Sequence, residues 1–191
     1  MTGIPKNILP VGLLMKEHRL IEKMVRVIDG KIKEYKGSGR PDGFFINGVV
    51  DFFKVYADKN HHGKEEEILF ARLENRDITL QHRAIMQNLL RDHVQSRKIV
   101  GKIRELNAGI FKNSPQAIDE VIAHLQTLAS LYTNHIDVED NHFFLPVMGY
   151  FSKVEQEKMI EDFIDFDRQF VHNHYRDFVS GFLKGTEGHA I

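Results

Sequence analysis

Apolar residues recur three and four positions apart over long windows of this chain, and short clusters of Gly, Pro, Asn, Asp and Ser interrupt them. That period suits one buried face of an α-helix, and no convincing strand-like alternation appears. Breaks fall at GSGRPDG (37–43), ENRD (74–77), KNSPQ (112–116) and from Pro146 to Ser152. Several carry helix-start chemistry: Asp42 or Asp77 as N-caps, Ser114 before Pro115 at the first helical position, and Ser152 with Glu155 as a capping box. The pattern predicts five helices over roughly 10–36, 43–73, 77–111, 115–145 and 152–184. Loops this short join antiparallel neighbours, so the expected fold is all-α, an up-down antiparallel four-helix bundle with an additional C-terminal helix. Residues 1–150 would form the bundle, and 151–191 a helix and tail packed on it.

An internal repeat underlies this layout. LMKEHRLIEKMV (14–25) aligns with LLRDHVQSRKIV (89–100) at an offset of 75, and HHGKEEEILF (61–70) with HIDVEDNHFF (135–144) at an offset of 74. The second alignment matches His61 with His135, Glu65 with Glu139, Glu66 with Asp140 and Phe70 with Phe144. The bundle is therefore two related helix pairs, each with a histidine on its first helix and a His-x-x-x-Glu on its second.

Helical steps from His61 reach Ile46, Val49, Val50, Phe53 and Ala57 on one side and Glu65, Ile68 and Leu69 on the other. The same steps from His62 meet Asp51, Lys54, Asp58, Lys59 and Glu66, a face suited to water. An α-helical wheel thus turns His61 and Glu65 inward and leaves His62 and Glu66 outside. His18 shares a stripe with Leu14, Ile21 and Val25, His93 with Met86, Leu89 and Val100, and His135 with Val121, Leu128 and Leu131. Burying four imidazoles and two carboxylates without partners costs on the order of 1–3 kcal/mol for each lost hydrogen-bonding group, and more for a charge. A pair of divalent cations removes that cost. A residue and the one four along stand about 6 Å apart in rise on one helix face, so each His-x-x-x-Glu can address one metal or bridge two.

Composition narrows the chemistry. The 191 residues contain no cysteine, which excludes disulfides, thiolate catalysis and cysteine-bound clusters, so any metal sits on nitrogen and oxygen. Histidine is abundant, at 11 copies. With 26 basic and 27 acidic residues, net charge −1 and no basic run, nucleic acid is not an expected partner. The N-terminal apolar stretch is too short for a membrane span and lacks a signal-peptide layout, so no membrane role and a cytoplasmic location are expected.

His18, His61 with Glu65, His93, and His135 with Glu139, on four successive helices, resemble the ligand pattern of the hemerythrin-like (HHE cation-binding) domain family. The resemblance runs from about Leu9 to Val147 and extends to LMKEH, HHGKEEEILF, LLRDH and HIDVEDNHFFLP as they stand here. It implies a four-helix bundle with a non-heme di-iron centre, oxo- or hydroxo-bridged, with zinc or manganese as alternative metals. His18, His61, His93 and His135 would be terminal ligands and Glu65 and Glu139 bridging carboxylates. Two departures stand out. Oxygen-carrying members place a fifth histidine one turn after the third-helix ligand, where this chain has Arg97. Their last carboxylate lies five residues after its histidine, which points to Asp140, but Asp140 is about 140° from His135 on the wheel and Glu139 lies beside it.

Four imidazoles, two bridging carboxylates and a bridging oxygen fill roughly ten of about twelve positions on two six-coordinate irons. That openness favours sensing of, scavenging of or reaction with oxygen, peroxide or nitric oxide over reversible oxygen storage. Glu22 and Arg97, one turn beyond His18 and His93, either orient ligands or form rim salt bridges, and Tyr132 either donates to a bound ligand or packs in the core. His82 and His124 fall at opposite ends of antiparallel helices, and His142, His172, His174 and His189 read as outlying. The C-terminal helix covers the bundle or makes a homodimer or other protein contact. Two competing readings remain: a ferritin-like iron store or ferroxidase, for which only Glu139 with His142 shows the Glu-x-x-His spacing, and a helical interaction module with a structural metal.

Overall fold

A computed structural model describes residues 8–38, 41–111 and 115–186, and their side chains except at 38, 108–111, 115 and 171–186. Five helices follow one another. α1 is Pro10–Ser38, α2 runs over 43–74, α3 is Leu80–Phe111, α4 runs over 115–148 and α5 is Lys153–Thr186. No strand occurs among the described residues.

The starts follow local chemistry. Asp42 caps α2 by accepting from the Phe44 amide at 2.9 Å. Ser152 and Glu155 form the reciprocal box ahead of α5, the Ser152 amide donating to Glu155 Oε2 at 2.8 Å and the Glu155 amide to Ser152 Oγ at 3.4 Å. At α3 the expectation for Asp77 is corrected: Thr79 Oγ1 accepts from the His82 amide at 3.2 Å, two residues later. Ile78 is buried, and the chain stays irregular through 77–79 to seat it before the helix begins. The Ser114 cap lies outside the described residues.

Cross-helix contacts run in opposite directions along each neighbouring pair, which defines the up-down bundle. Asn47, Asp58 and Glu66 of α2 meet Asn107, Arg97 and His93 of α3 in that order. His93 and Ser96 of α3 meet His135 and Tyr132 of α4. α1 closes the ring against α2 and α4, and α5 lies outside it against α1 and α2.

The interior divides into two apolar clusters. One gathers Ile21, Ile28, Phe53, Ile103, Leu125 and Leu128, and the other Leu14, Leu69, Phe70, Phe143, Phe144 and Phe163. Each such side chain contributes about 1.5–3 kcal/mol by leaving water. Between the clusters lies a buried polar layer holding His18, His61, His62, Glu65, His93, His135 and Glu139.

α2 and α4 change their winding at that layer. Phe52–His62 and Glu65–Phe70 of α2 and Glu139–Phe143 of α4 are π-helical. A π turn closes its hydrogen bonds at i→i+5, about one residue more than an α turn, and recurs at functional sites. Among the described residues no helix is long and apolar enough to cross a membrane.

Candidate metal centre

The six residues expected from the sequence to face a metal stand in one layer. His18 comes from α1, His61 and Glu65 from α2, His93 from α3, and His135 and Glu139 from α4, each at most 2% exposed. Their Nε2 and carboxylate atoms converge. His18 Nε2 lies 2.9 Å from His61 Nε2, and His93 Nε2 lies 3.3 Å from His135 Nε2. Glu65 spans the two pairs, with Oε1 3.3 Å from His61 Nε2 and Oε2 3.4 Å from His93 Nε2. Glu139 Oε2 does the same from the other side, 3.2 Å from His18 Nε2 and 3.3 Å from His135 Nε2.

Each imidazole is oriented from behind by a carboxylate on the preceding helix of the ring. Glu17 of α1 meets His61 Nδ1 at 2.8 Å, Glu66 of α2 meets His93 Nδ1 at 2.7 Å, Asp92 of α3 meets His135 Nδ1 at 3.4 Å, and Asp140 of α4 meets His18 Nδ1 at 2.7 Å. These four carboxylates obey the internal repeat, Glu17 matching Asp92 and Glu66 matching Asp140. A carboxylate accepts a hydrogen bond from Nδ1–H, which makes Nε2 the nitrogen whose lone pair is available to a metal. Two bare lone pairs 2.9 Å apart would repel, so the close approach of these Nε2 atoms calls for a positive charge between them, either a shared proton or a metal cation. Asp140 thus backs His18 and is absent from both donor groups, whereas Glu139 belongs to one of them.

His62 is the residue that the wheel misplaced. It is 1% exposed, and its ring stacks on His93 with centroids 3.7 Å apart and planes 9° apart. Neither of its nitrogens has a hydrogen-bond partner, and the nearest acid, Asp58, is 3.5 Å from Nδ1. In an α-helix adjacent residues point about 100° apart, which sets one of the two toward the edge of the buried face; the π winding of Phe52–His62 narrows that angle, and both rings lie in the layer. Glu66 is likewise drawn in, half-buried behind His93. The sequence signal was the doubled histidine itself, read with the wrong number of residues per turn. The repeat gave no help, because the position matching His62 is Ile136.

Two groups of four donors result, His18, His61, Glu65 and Glu139 in one, and His62, Glu65, His93 and His135 in the other. In each, the ligand atoms lie within 4.8 Å of one another, and Glu65 is shared. The electrostatics mark where positive charge is wanted. Burial opposes charging His61, but Glu65 and Glu17 outweigh it and raise the imidazole to about 8. Burial also opposes ionising Glu65, yet His61 and its neighbours hold it well below the usual carboxylate range. Burial together with the nearby Glu65 pushes Glu139 well up. Both oxygens of Glu65 and of Glu139 lack hydrogen-bond donors. Buried acceptors left in this state are costly, and a cation pair is the partner that fits them.

Arg97 donates to Asp58 and to Glu66, both at 2.7 Å, and so braces the carboxylate behind His93. Glu22 pairs with Arg19 at 3.1 Å, and Arg19 with Asp140. Tyr132 shares a hydrogen bond with Ser96 Oγ at 2.8 Å, and burial holds its phenol well above the usual range. His82 bonds the Tyr150 hydroxyl at 2.7 Å and His124 the Glu120 carbonyl at 2.8 Å, both away from the layer. His142 is exposed, which removes the Glu139–His142 pair that a ferritin-like arrangement needs. The side chains of His172, His174 and His189 lie outside those described.

Residues 9–145 match the model of the hemerythrin HHE cation binding domain. Searches of curated proteins and of solved structures return no match.

Proposed function

We propose that this chain, which belongs to the hemerythrin HHE cation binding domain family, holds two iron ions and through them binds or reacts with a small diatomic or peroxide ligand, namely oxygen, peroxide or nitric oxide. His18 and His61 would hold one ion and His62, His93 and His135 the other, with Glu65 and Glu139 between them. The observation that carries this reading is the ring of four carboxylate-backed imidazoles whose free Nε2 atoms meet around two buried glutamates with no other partner. When bound, an iron pair supplies redox-active Lewis-acid positions for such a ligand.

The absence of a histidine at Arg97 no longer argues for an unusually open centre. His62 supplies a fifth imidazole from α2, so roughly eleven of about twelve positions are filled and about one remains. Ligand count alone then favours neither reversible binding nor reaction. A cavity of about 200 Å³ between α2 and α3 is lined by Phe53, Asp58, Ser96 and Arg97, of which Ser96 bonds Tyr132 and Arg97 bonds Glu66.

The test is metal content and an optical spectrum of protein purified from iron-supplied cells, before and after peroxide. Two irons per chain, with a near-ultraviolet band that peroxide alters, support the reading. One colourless zinc per chain would instead favour the helical interaction module.

A further inference from the structure

The C-terminal helix is wired to one half of the metal layer. Lys64 of α2 has a side chain only 2% exposed, and its ammonium lies between Glu17 of α1 and Asp167 of α5, the latter at 2.6 Å. A buried ammonium requires paired charge and hydrogen bonds on every open side. Glu17 is also the carboxylate behind His61: its Oε2 accepts from the His61 Nδ1–H at 2.8 Å while its Oε1 accepts from the Lys64 ammonium. Glu17 is therefore pulled from two directions. The share of the lysine's charge that falls on it sets how strongly it can accept from His61, and Asp167 takes part of that charge away.

Packing fixes the same helix in register. Phe166 lies against Gly63, the residue between His62 and Lys64, where an added Cβ would stand 2.7 Å from its Cζ. Asp167 is next in sequence, so the position of Phe166 sets the reach of the carboxylate to Lys64.

Among the described residues the other half has no ion pair to α5; there it is Arg97 of α3 that holds Glu66 behind His93. By the internal repeat, Val138 stands where α2 has Lys64, and Asp92, the counterpart of Glu17, is nearly half-exposed and reaches His135 only at 3.4 Å. α5 contacts α1 and α2. Whatever α5 does through Asp167 is delivered to the His18–His61 side.

We propose that Asp167 is a positioning residue that strengthens metal binding by the His18–His61 half of the layer, acting through Lys64 and Glu17, so that docking of α5 and loading of that half favour one another. The inference rests on the di-iron reading above. Linkage makes the effect reciprocal, so metal in that half must in turn tighten α5.

The experiment uses the full-length protein loaded anaerobically with Fe(II), challenged with excess chelator, and followed as iron remaining per chain. Losing an outer partner directly behind a ligand costs 10–100-fold in affinity; one position further out, Asp167→Asn should release one iron about 3- to 10-fold faster and leave the other at the wild-type rate. Asp167→Glu should restore the slow phase. Hydrogen exchange over 153–170 should slow on iron loading in the wild type, and markedly less in Asp167→Asn. Release of both irons at wild-type rates from Asp167→Asn overturns the proposal, as does equal acceleration of both, which indicates general loosening. A wild-type protein that takes up no iron overturns the di-iron reading, and this inference falls with it; two irons with no effect at Asp167 refute the inference alone.

Discussion

Replacing His62 by phenylalanine separates the cost of a buried imidazole from its use. The ring is 1% exposed with no hydrogen-bond partner on either nitrogen, and without a metal each nitrogen would carry a penalty of about 1–3 kcal/mol. Phenylalanine keeps an aromatic ring against His93 and Tyr132 while removing both polar atoms, and a small loss to imperfect packing is expected. The net expectation for metal-free His62→Phe is a gain of about 2 kcal/mol, or about 4–8 °C in Tm for a chain of this length. Burial and the neighbouring His93 and His135 hold His62 well below its ordinary 6.5. A base depressed in the folded state leaves stability unaffected above its unfolded value and drains it as pH falls below that value, because the unfolded chain then binds the extra proton. The advantage of His62→Phe should therefore widen below pH 6.5, by up to about 1.4 kcal/mol per pH unit. The elevated His61 acts in the opposite sense, stabilising fully below 6.5 and losing that contribution as pH rises through about 8, and it is common to both proteins. Loaded with iron, the order reverses: the variant lacks one of three imidazoles in its group, and that ion should bind at least about 100-fold more weakly. Thermal denaturation at pH 5.5 and 7.5, with and without iron, reads all three effects. A variant that is less stable than wild type without metal, and that binds two irons at wild-type affinity when loaded, would show that His62 is a well-satisfied core residue and refute the reasoning.

Glu65 belongs to both donor groups, so Glu65→Ala should lose both irons together, measured as metal per chain after dialysis, whereas Glu17→Gln should weaken chiefly one. Asp140→Asn removes the anionic partner of His18 Nδ1 and should cost roughly 10–100-fold in affinity for one ion, read by competition with a chelator, while urea denaturation of the metal-free protein changes by less than about 1 kcal/mol. Gly63→Val forces bulk against Phe166 and should destabilise by about 1–3 kcal/mol in urea, with the loss reduced in a Gly63→Val, Phe166→Ala double variant.

Local chemistry and periodicity were enough for the helices, their order and their antiparallel arrangement. The apolar stripes around His18, His61, His93 and His135 each fix which side of a helix is buried, because water excludes those stripes from every other orientation. The duplication also paired positions, Glu17 with Asp92 and Glu66 with Asp140, but not their roles; the contacts by which these carboxylates close the ring from helix to helix belong to the tertiary structure. What the chain could not disclose is where the winding departs from 3.6 residues per turn. That departure depends on what surrounds α2 once the helices pack, and it decides that His62 faces inward and that Glu66 backs His93. The approach of α5 to Lys64 was equally hidden, since residues 64 and 167 lie 103 positions apart and only the docked helix brings their charges together. One-dimensional patterns determine faces of isolated helices; which neighbouring helix supplies the partner for a buried donor or charge is decided only when those faces meet.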